Sequence, residues 1–168
     1  MSAAIRLVDP SENEFLADLE KKAKRPNHFF RVMANRPEVL KNFVPLYGAV
    51  MGHGAVDRRI KELVYLAASY TNRCAYCTAS HTASGSRAGI TAEEMQALRE
   101  ERLEGFSAAE QGAIRYSLEL TKTANAATSR DALRAHFNDE QIAELTLVAA
   151  MANFTNRFNN GLALQPEQ

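Results

Sequence analysis

The 168-residue sequence has no surplus of either charge: 20 Lys and Arg stand against 20 Asp and Glu, for a formal net charge of zero. That balance leaves no electrostatic footprint for a nucleic acid or an anionic membrane surface. No apolar run is long enough to span a bilayer, and the N-terminus lacks the hydrophobic segment of a signal peptide. A cytoplasmic location is therefore expected. Apolar and polar residues nowhere alternate over enough positions to argue for a sheet, and internal repeats, linkers and low-complexity stretches are missing too. Cysteine is scarce. Only Cys74 and Cys77 are present, and no second Cys or His pair stands at metal-ligand spacing, which counts against a structural zinc site.

What the chain does contain is helix punctuation. Hydrophobic residues make up 46% and charged residues 24%, the proportions of a soluble globular protein, and the length suits one domain over residues 1–168. Such a domain buries roughly two-thirds of its unfolded surface. Ser11 with Glu14, Asn35 with Glu38, Thr91 with Glu94, Ser107 with Glu110 and Asn138 with Gln141 each fit a cap and a reaching side chain three residues on. With two central helices and a short one over residues 28–34, these predict an all-α bundle of about seven to eight helices. Residues 1–36 read as an N-terminal packing arm whose helix breaks at Arg25-Pro26-Asn27. Residues 37–51 form an apolar helix that Pro45 deprives of a donor and is expected to kink. The stretch from Thr123 to Ser129 is small and polar and reads as a loop, with His136 near the C-terminal end of the helix after it. A long helix over 138–162 is apolar around much of its circumference, through Ile142, Leu145, Val148, Met151, Phe154 and Phe158. A helix of that kind is central to a core or shared between subunits.

The chemistry concentrates between Glu62 and His81, in ELVYLAASYTNRCAYCTASH. Ile60, Leu63, Val64, Ala67 and Ala68 recur at helical spacing after a capping Asp57. Thr71, Asn72 and Arg73 interrupt the pattern. A second helix opens at the cysteines and runs to about Ala88, where Gly89 ends it. Two helices joined so briefly form an antiparallel hairpin. At a rise of about 1.5 Å per residue, Glu62 and His81 come to similar heights on its two arms. Cys74 and Cys77 are spaced i,i+3, and Cys77 and His81 i,i+4, so both pairs share a helix face. A thiol in a first helical turn is acidified by the unpaired N–H groups there, and by a nearby imidazolium. A dithiol, a base and a carboxylate behind the base make a nucleophile, its proton acceptor and an orienting group.

Other assignments compete for the same residues. Glu62 can form a solvated i,i+4 pair with Arg58. His81 can be a satisfied core histidine, and the cysteines can be inert small apolar groups. Glu62, Cys74, Cys77 and His81 together can also supply four ligands to zinc. Tyr70 and Tyr76 are expected at the wall of any pocket here. His28 and His53 read as surface residues outside the site.

The pattern Glu62, Cys74-Ala75-Tyr76-Cys77, His81 resembles the signature of AhpD-like alkylhydroperoxidases within the carboxymuconolactone decarboxylase superfamily, and Ser69-Tyr70-Thr71-Asn72 is similar to its peroxidase-related branch. The likeness covers a core of about residues 37–103 and returns over Asn153 to Leu162, in FTNRFNNGL. It implies an AhpD-like helical bundle and a homo-oligomer, trimer or hexamer. It also implies peroxide reduction by a Cys74/Cys77 dithiol cycle, with Glu62 and His81 relaying a proton from Cys77, directly or through a water. Which cysteine attacks stays open, because Cys74 sits nearer the helix end. An external dithiol, lipoyl or thioredoxin-like, would reset the pair, with no cofactor or metal. Tyr76 departs from the histidine usual between the cysteines of AhpD itself, which leaves the reductant open. Decarboxylase or lactone chemistry also occurs in the superfamily, in members that generally lack the dithiol.

Overall fold

Every residue from Lys61 to Ser69 is buried, a run of side chains that points in all directions around one helix. Only an element surrounded by others can look like this, and helix α4 (Arg58–Thr71) is the axis of the bundle in the computed structural model, which describes residues 2–167. Before it come α1 (Glu14–Ala23), α2 (His28–Met33) and α3 (Pro37–Met51). After it come α5 (Ala75–Arg87), α6 (Ala92–Arg99), α7 (Ala108–Thr123), α8 (Ala127–Leu133) and α9 (Asp139–Gly161). With the 3-10 turn Pro10–Glu12 these are all the helices among the described residues, and there is no strand. Nine α-helices exceed the seven to eight expected. Part of the difference is α8, which starts inside the stretch taken for a loop and finishes before His136.

Helix α4 packs against α5, α7 and α9, and divides the core in two. One face puts Val64, Tyr65 and Ala68 with Leu40, Phe29 and Val148; the opposite face puts Leu63, Leu66 and Ala67 with Ile90, Leu98 and Ile114. The expected caps hold at Asp57, Thr91, Ser107 and Asn138. Two of the expected boxes do not form. Asp9 and Glu12 make the capping box ahead of α1, and Asn13, not Ser11, caps α1 itself. Asn35 spends its amide on the carbonyls of Arg6 and Val32, so α3 begins with Pro37 and no side-chain cap.

An unforeseen ion pair ties α4 to α9. Lys61 is fully buried and donates to the carbonyls of Val50 (3.1 Å) and Gly52 (2.8 Å) while pairing with Glu144. Glu144 in turn accepts the amides of Ala55 (2.7 Å) and Val56 (3.0 Å), so one carboxylate pins the whole connection between α3 and α4. A side chain on Gly54 would collide with that carboxylate. Charge burial of this kind requires a partner and hydrogen bonds for every proton, and Lys61 has them.

Candidate active site

Helices α4 and α5 form the expected hairpin. Its turn is closed by Arg73, whose φ of 52° is left-handed, and by the Cys74 amide donating to Ser69 O at 3.0 Å. Cys74 is the N-cap of α5, and its sulfur accepts the Cys77 amide at 3.2 Å. An asparagine ladder fastens the turn to α9: Asn72 donates to Asn153 (3.0 Å) and Asn156 (2.9 Å), and Asn156 donates to Ser69 Oγ (3.1 Å).

The hairpin brings Glu62 and His81 together, with Oε2 2.7 Å from Nδ1. The other oxygen, Oε1, takes Ser84 Oγ at 2.9 Å and the Arg58 guanidinium at 2.5 Å. The Arg58–Glu62 pair foreseen in the sequence therefore exists, but its carboxylate is fully buried and not solvated. Burial opposes ionisation of Glu62, and the His81 hydrogen bond with the charges of His81 and Arg58 outweighs it, so the carboxyl stays below its ordinary range. A carboxylate at Nδ1 fixes a hydrogen there and leaves Nε2 to face the other way. That nitrogen lies 3.1 Å from the Tyr47 hydroxyl. The imidazole also lies flat on Tyr65, with centroids 3.6 Å apart.

The two sulfurs are buried, unbonded thiols. Asn159 Nδ2 donates to Cys77 Sγ at 3.1 Å and reaches Cys74 Sγ at 4.0 Å. The hydrogen bond with Cys74 pulls the Cys77 thiol down against its burial, and Asn156, Asn159 and Thr155 add to the effect, to about 7. The same Cys77 contact, with burial and the charge on Cys77, pushes Cys74 well up. The two i,i+3 thiols are thus unequal, with the anion favoured on Cys77. Asn159 Oδ1 is buried with no hydrogen-bond partner among the described residues.

Cys77 and His81 line one cavity of about 280 Å³, whose aromatic wall includes Phe29, Phe43, Tyr47 and Tyr76. No direct hydrogen bond joins His81 to either sulfur; its free nitrogen is taken by Tyr47. Tyr76 stands at the wall as expected, its hydroxyl donating to Glu167 (2.8 Å) and accepting the Phe29 amide (3.3 Å). Tyr70 does not line this cavity but a second one, on the Cys74 side, with Arg73 and Arg99. It packs in the second core cluster beneath the Arg99 guanidinium, 4.9 Å from its ring. His53 is exposed, and His28 Nδ1 lies 3.2 Å from Gln165 O. Among the described residues, no group of three or more His, Cys, Asp and Glu is placed to hold a metal ion. Thr155, Asn156 and Asn159 are the site residues that sequence reasoning passed over, while Tyr47 and Tyr65 read there only as apolar surroundings suited to an organic hydroperoxide. The one signal of the three on α9 was the polar set at 155, 156 and 159 inside an otherwise apolar helix.

An all-helical bundle built on a central hairpin is the fold of AhpD-like proteins. The structure matches the alkylhydroperoxidase AhpD core of a peroxidase-related protein from Ralstonia eutropha JMP134 with a TM-score of 0.87, at 20% identity, over 100% of this chain and 94% of that one. A putative antioxidant defence protein AhpD from Agrobacterium tumefaciens gives a TM-score of 0.74 at 26% identity, over 82% and 96%. The Bacillus subtilis protein YdfG is 25% identical over 109 residues, 62% of this chain and 74% of YdfG. Residues 37–119 match the model of the carboxymuconolactone decarboxylase family. The chain belongs to the AhpD and carboxymuconolactone decarboxylase superfamily, and its fold is that of the AhpD core. Among the described residues no helix is long and apolar enough to cross a membrane.

Proposed function

We propose that the protein is a thiol-dependent peroxidase that reduces hydrogen peroxide or organic hydroperoxides through a Cys74/Cys77 dithiol–disulfide cycle, with Glu62 and His81 as its proton relay. The observation that supports it most is an acidified Cys77, its amide bonded to the Cys74 sulfur, in a cavity that His81 also lines. Cys77 thiolate attacks the peroxide O–O bond, an S–O bond forms, and the leaving oxygen departs as an alcohol or water once it takes the proton held by His81. The resulting sulfenic acid reacts with the Cys74 thiol, forming the S–S bond and releasing water. An external dithiol, of the lipoyl or thioredoxin-like class, exchanges with the disulfide and restores both thiols. Asn159 Oδ1 offers an acceptor for the hydroperoxide O–H, and the aromatic wall suits an apolar organic body.

The same reading carries a cytoplasmic location, where thiols are kept reduced, and a homo-oligomer, trimer or hexamer. Val39 and Leu46 on α3, and Leu147 and Phe154 on α9, stand out in solvent on two helices that pack together, an apolar surface that a second copy would cover. The test of the enzyme is peroxide consumption coupled to oxidation of dithiothreitol. Cys77→Ser abolishes it and Glu62→Gln slows it by about tenfold or more; an undiminished rate in both variants contradicts the proposal.

A further inference from the structure

Cys77 and Arg87 share one face of α5, and between them the wall of the site changes character. Cys77, Ser80, His81, Ser84 and Arg87 follow one another at helical spacing, so they form a single stripe along the helix. The Cys77 end of the stripe lines the aromatic cavity, with Phe29, Phe30 and Phe43 in the same wall. The other end, from Ser80 to Arg87, lines an adjoining chamber of about 380 Å³ that none of these three rings reaches. Arg25, Asn27, Tyr47, Tyr76, Ser80 and His81 line both, so the two spaces share a border.

The chamber is cationic. Among the described residues, Arg25, Arg58 and Arg87 stand in its wall against a single carboxylate, Glu167. Glu167 Oε1 is taken by the Tyr76 hydroxyl at 2.8 Å and the His28 amide at 2.6 Å. Arg58 is committed to the buried Glu62 and to Ser84 Oγ at 3.1 Å. Arg25 and Arg87 form no ion pair among the described residues. Two uncommitted guanidinium groups therefore border the polar space beside the thiol cavity.

We infer that Arg25 and Arg87 receive the carboxylate of the substrate, which is a long-chain hydroperoxy acid. The inference rests on the peroxidase reading and names the substrate class that reading leaves open. The apolar end of the chain lies against the aromatic wall, the hydroperoxide reaches Cys77, and the acid head sits in the chamber. Cys77 and Arg87 are ten residues apart, which is about 15 Å along the helix axis at about 1.5 Å per residue. An extended acyl chain bridges that span. The planar fork of a guanidinium matches a carboxylate, and the rings take the hydrocarbon out of water.

The test reads binding without turnover. The hydroxy acid made by reducing linoleic acid hydroperoxide has no O–O bond to break, and its methyl ester is the same chain without the charge. Each is titrated, below the concentration at which it forms micelles, into the reduced full chain while iodoacetamide alkylates Cys77. Tandem mass spectrometry assigns the modified cysteine. The acid protects Cys77 at about tenfold lower concentration than the ester. Arg25→Gln and Arg87→Gln each narrow that preference to about threefold, and the double variant abolishes it. Arg87→Lys keeps the charge and retains most of the preference. Raising the salt to about 0.5 M weakens protection by the acid and not by the ester, because exposed charges are screened. Equal protection by acid and ester in the wild type, or a full preference surviving in the double variant, overturns the inference. A protein that shows the preference yet consumes no hydroperoxide keeps the carboxylate site and loses the peroxidase. One that consumes linoleic acid hydroperoxide and its methyl ester with the same KM keeps the peroxidase and loses the site.

Discussion

The His81 imidazole lies parallel to the Tyr65 ring, the two planes 14° apart with centroids at 3.6 Å, so one buried aromatic sets the plane in which His81 meets both its partners. In that plane Nδ1 faces Glu62 and Nε2 faces Tyr47. Tyr65 is itself held by Thr155 and surrounded by the main core. Tyr65→Ala therefore removes a large buried ring and frees the imidazole at once. A loss of about 3–5 kcal/mol in urea unfolding is expected, and a loss under 1 kcal/mol would mean that the ring is not a core member.

Asn159 Nδ2 donates to Cys77 Sγ at 3.1 Å. Its N–H stabilises the thiolate and not the thiol, so Asn159→Ala raises the Cys77 midpoint. Alkylation of Cys77 at pH 7 falls by about tenfold, with little change at pH 10. Equal slowing at both pH values would show restricted access in place of a lost donor.

Among the described residues, Glu144 is the one counter-charge that Lys61 pairs with. Glu144→Ala strands a buried ammonium and two backbone amides, and destabilises the fold by about 3–5 kcal/mol in denaturant titration. Glu62 and Glu144 both ionise below the usual carboxylate value, near 4.5. A depressed carboxyl contributes stability above that value and loses it as the pH falls through the folded-state value. The melting temperature is accordingly flat from pH 7 to about 5 and drops below about 4. Glu144→Gln gives a lower but shallower acid limb, seen in thermal melts followed by circular dichroism.

Leu147 and Phe154 recur one heptad apart on α9, 54% and 49% exposed, beside Leu46 of α3 at 54%. Leu147→Glu places a charge in the middle of that surface. Light scattering at micromolar concentration should give an oligomer for the wild type and a smaller mass for the variant, with the helical signal unchanged. A wild-type mass equal to one chain removes the association.

The parts of this molecule legible in its sequence were those that depend on local spacing. The α4–α5 hairpin, the caps at Asp57 and Thr91, and the meeting of Glu62 with His81 all follow from positions a few turns apart. What escaped was decided by tertiary partners. Lys61 reads as a surface residue until Glu144, far along the chain, comes to meet it. Tyr47 looked like one more apolar residue of α3, and its hydroxyl acquires meaning only when α5 presents His81. Tyr70 sits beside the cysteines in sequence but packs on the second core cluster, where it shares a cavity with Cys74 and not with Cys77. Asn35 and Ser11 had the spacing of caps and lost it to competing carbonyl and carboxylate partners nearby.

The central claim is that Cys77 and Cys74 act as one redox unit on peroxide, and a single turnover tests it most directly. Reduced protein is mixed with one equivalent of cumene hydroperoxide, quenched by acid, and its free thiols are counted by mass spectrometry after alkylation. The account predicts loss of both thiols per peroxide consumed and an intramolecular disulfide. Cys74→Ser should instead hold a dimedone-reactive sulfenic acid on Cys77, and Cys77→Ser should leave the peroxide untouched. Peroxide consumed with both thiols intact, or by Cys77→Ser at the wild-type rate, would contradict it.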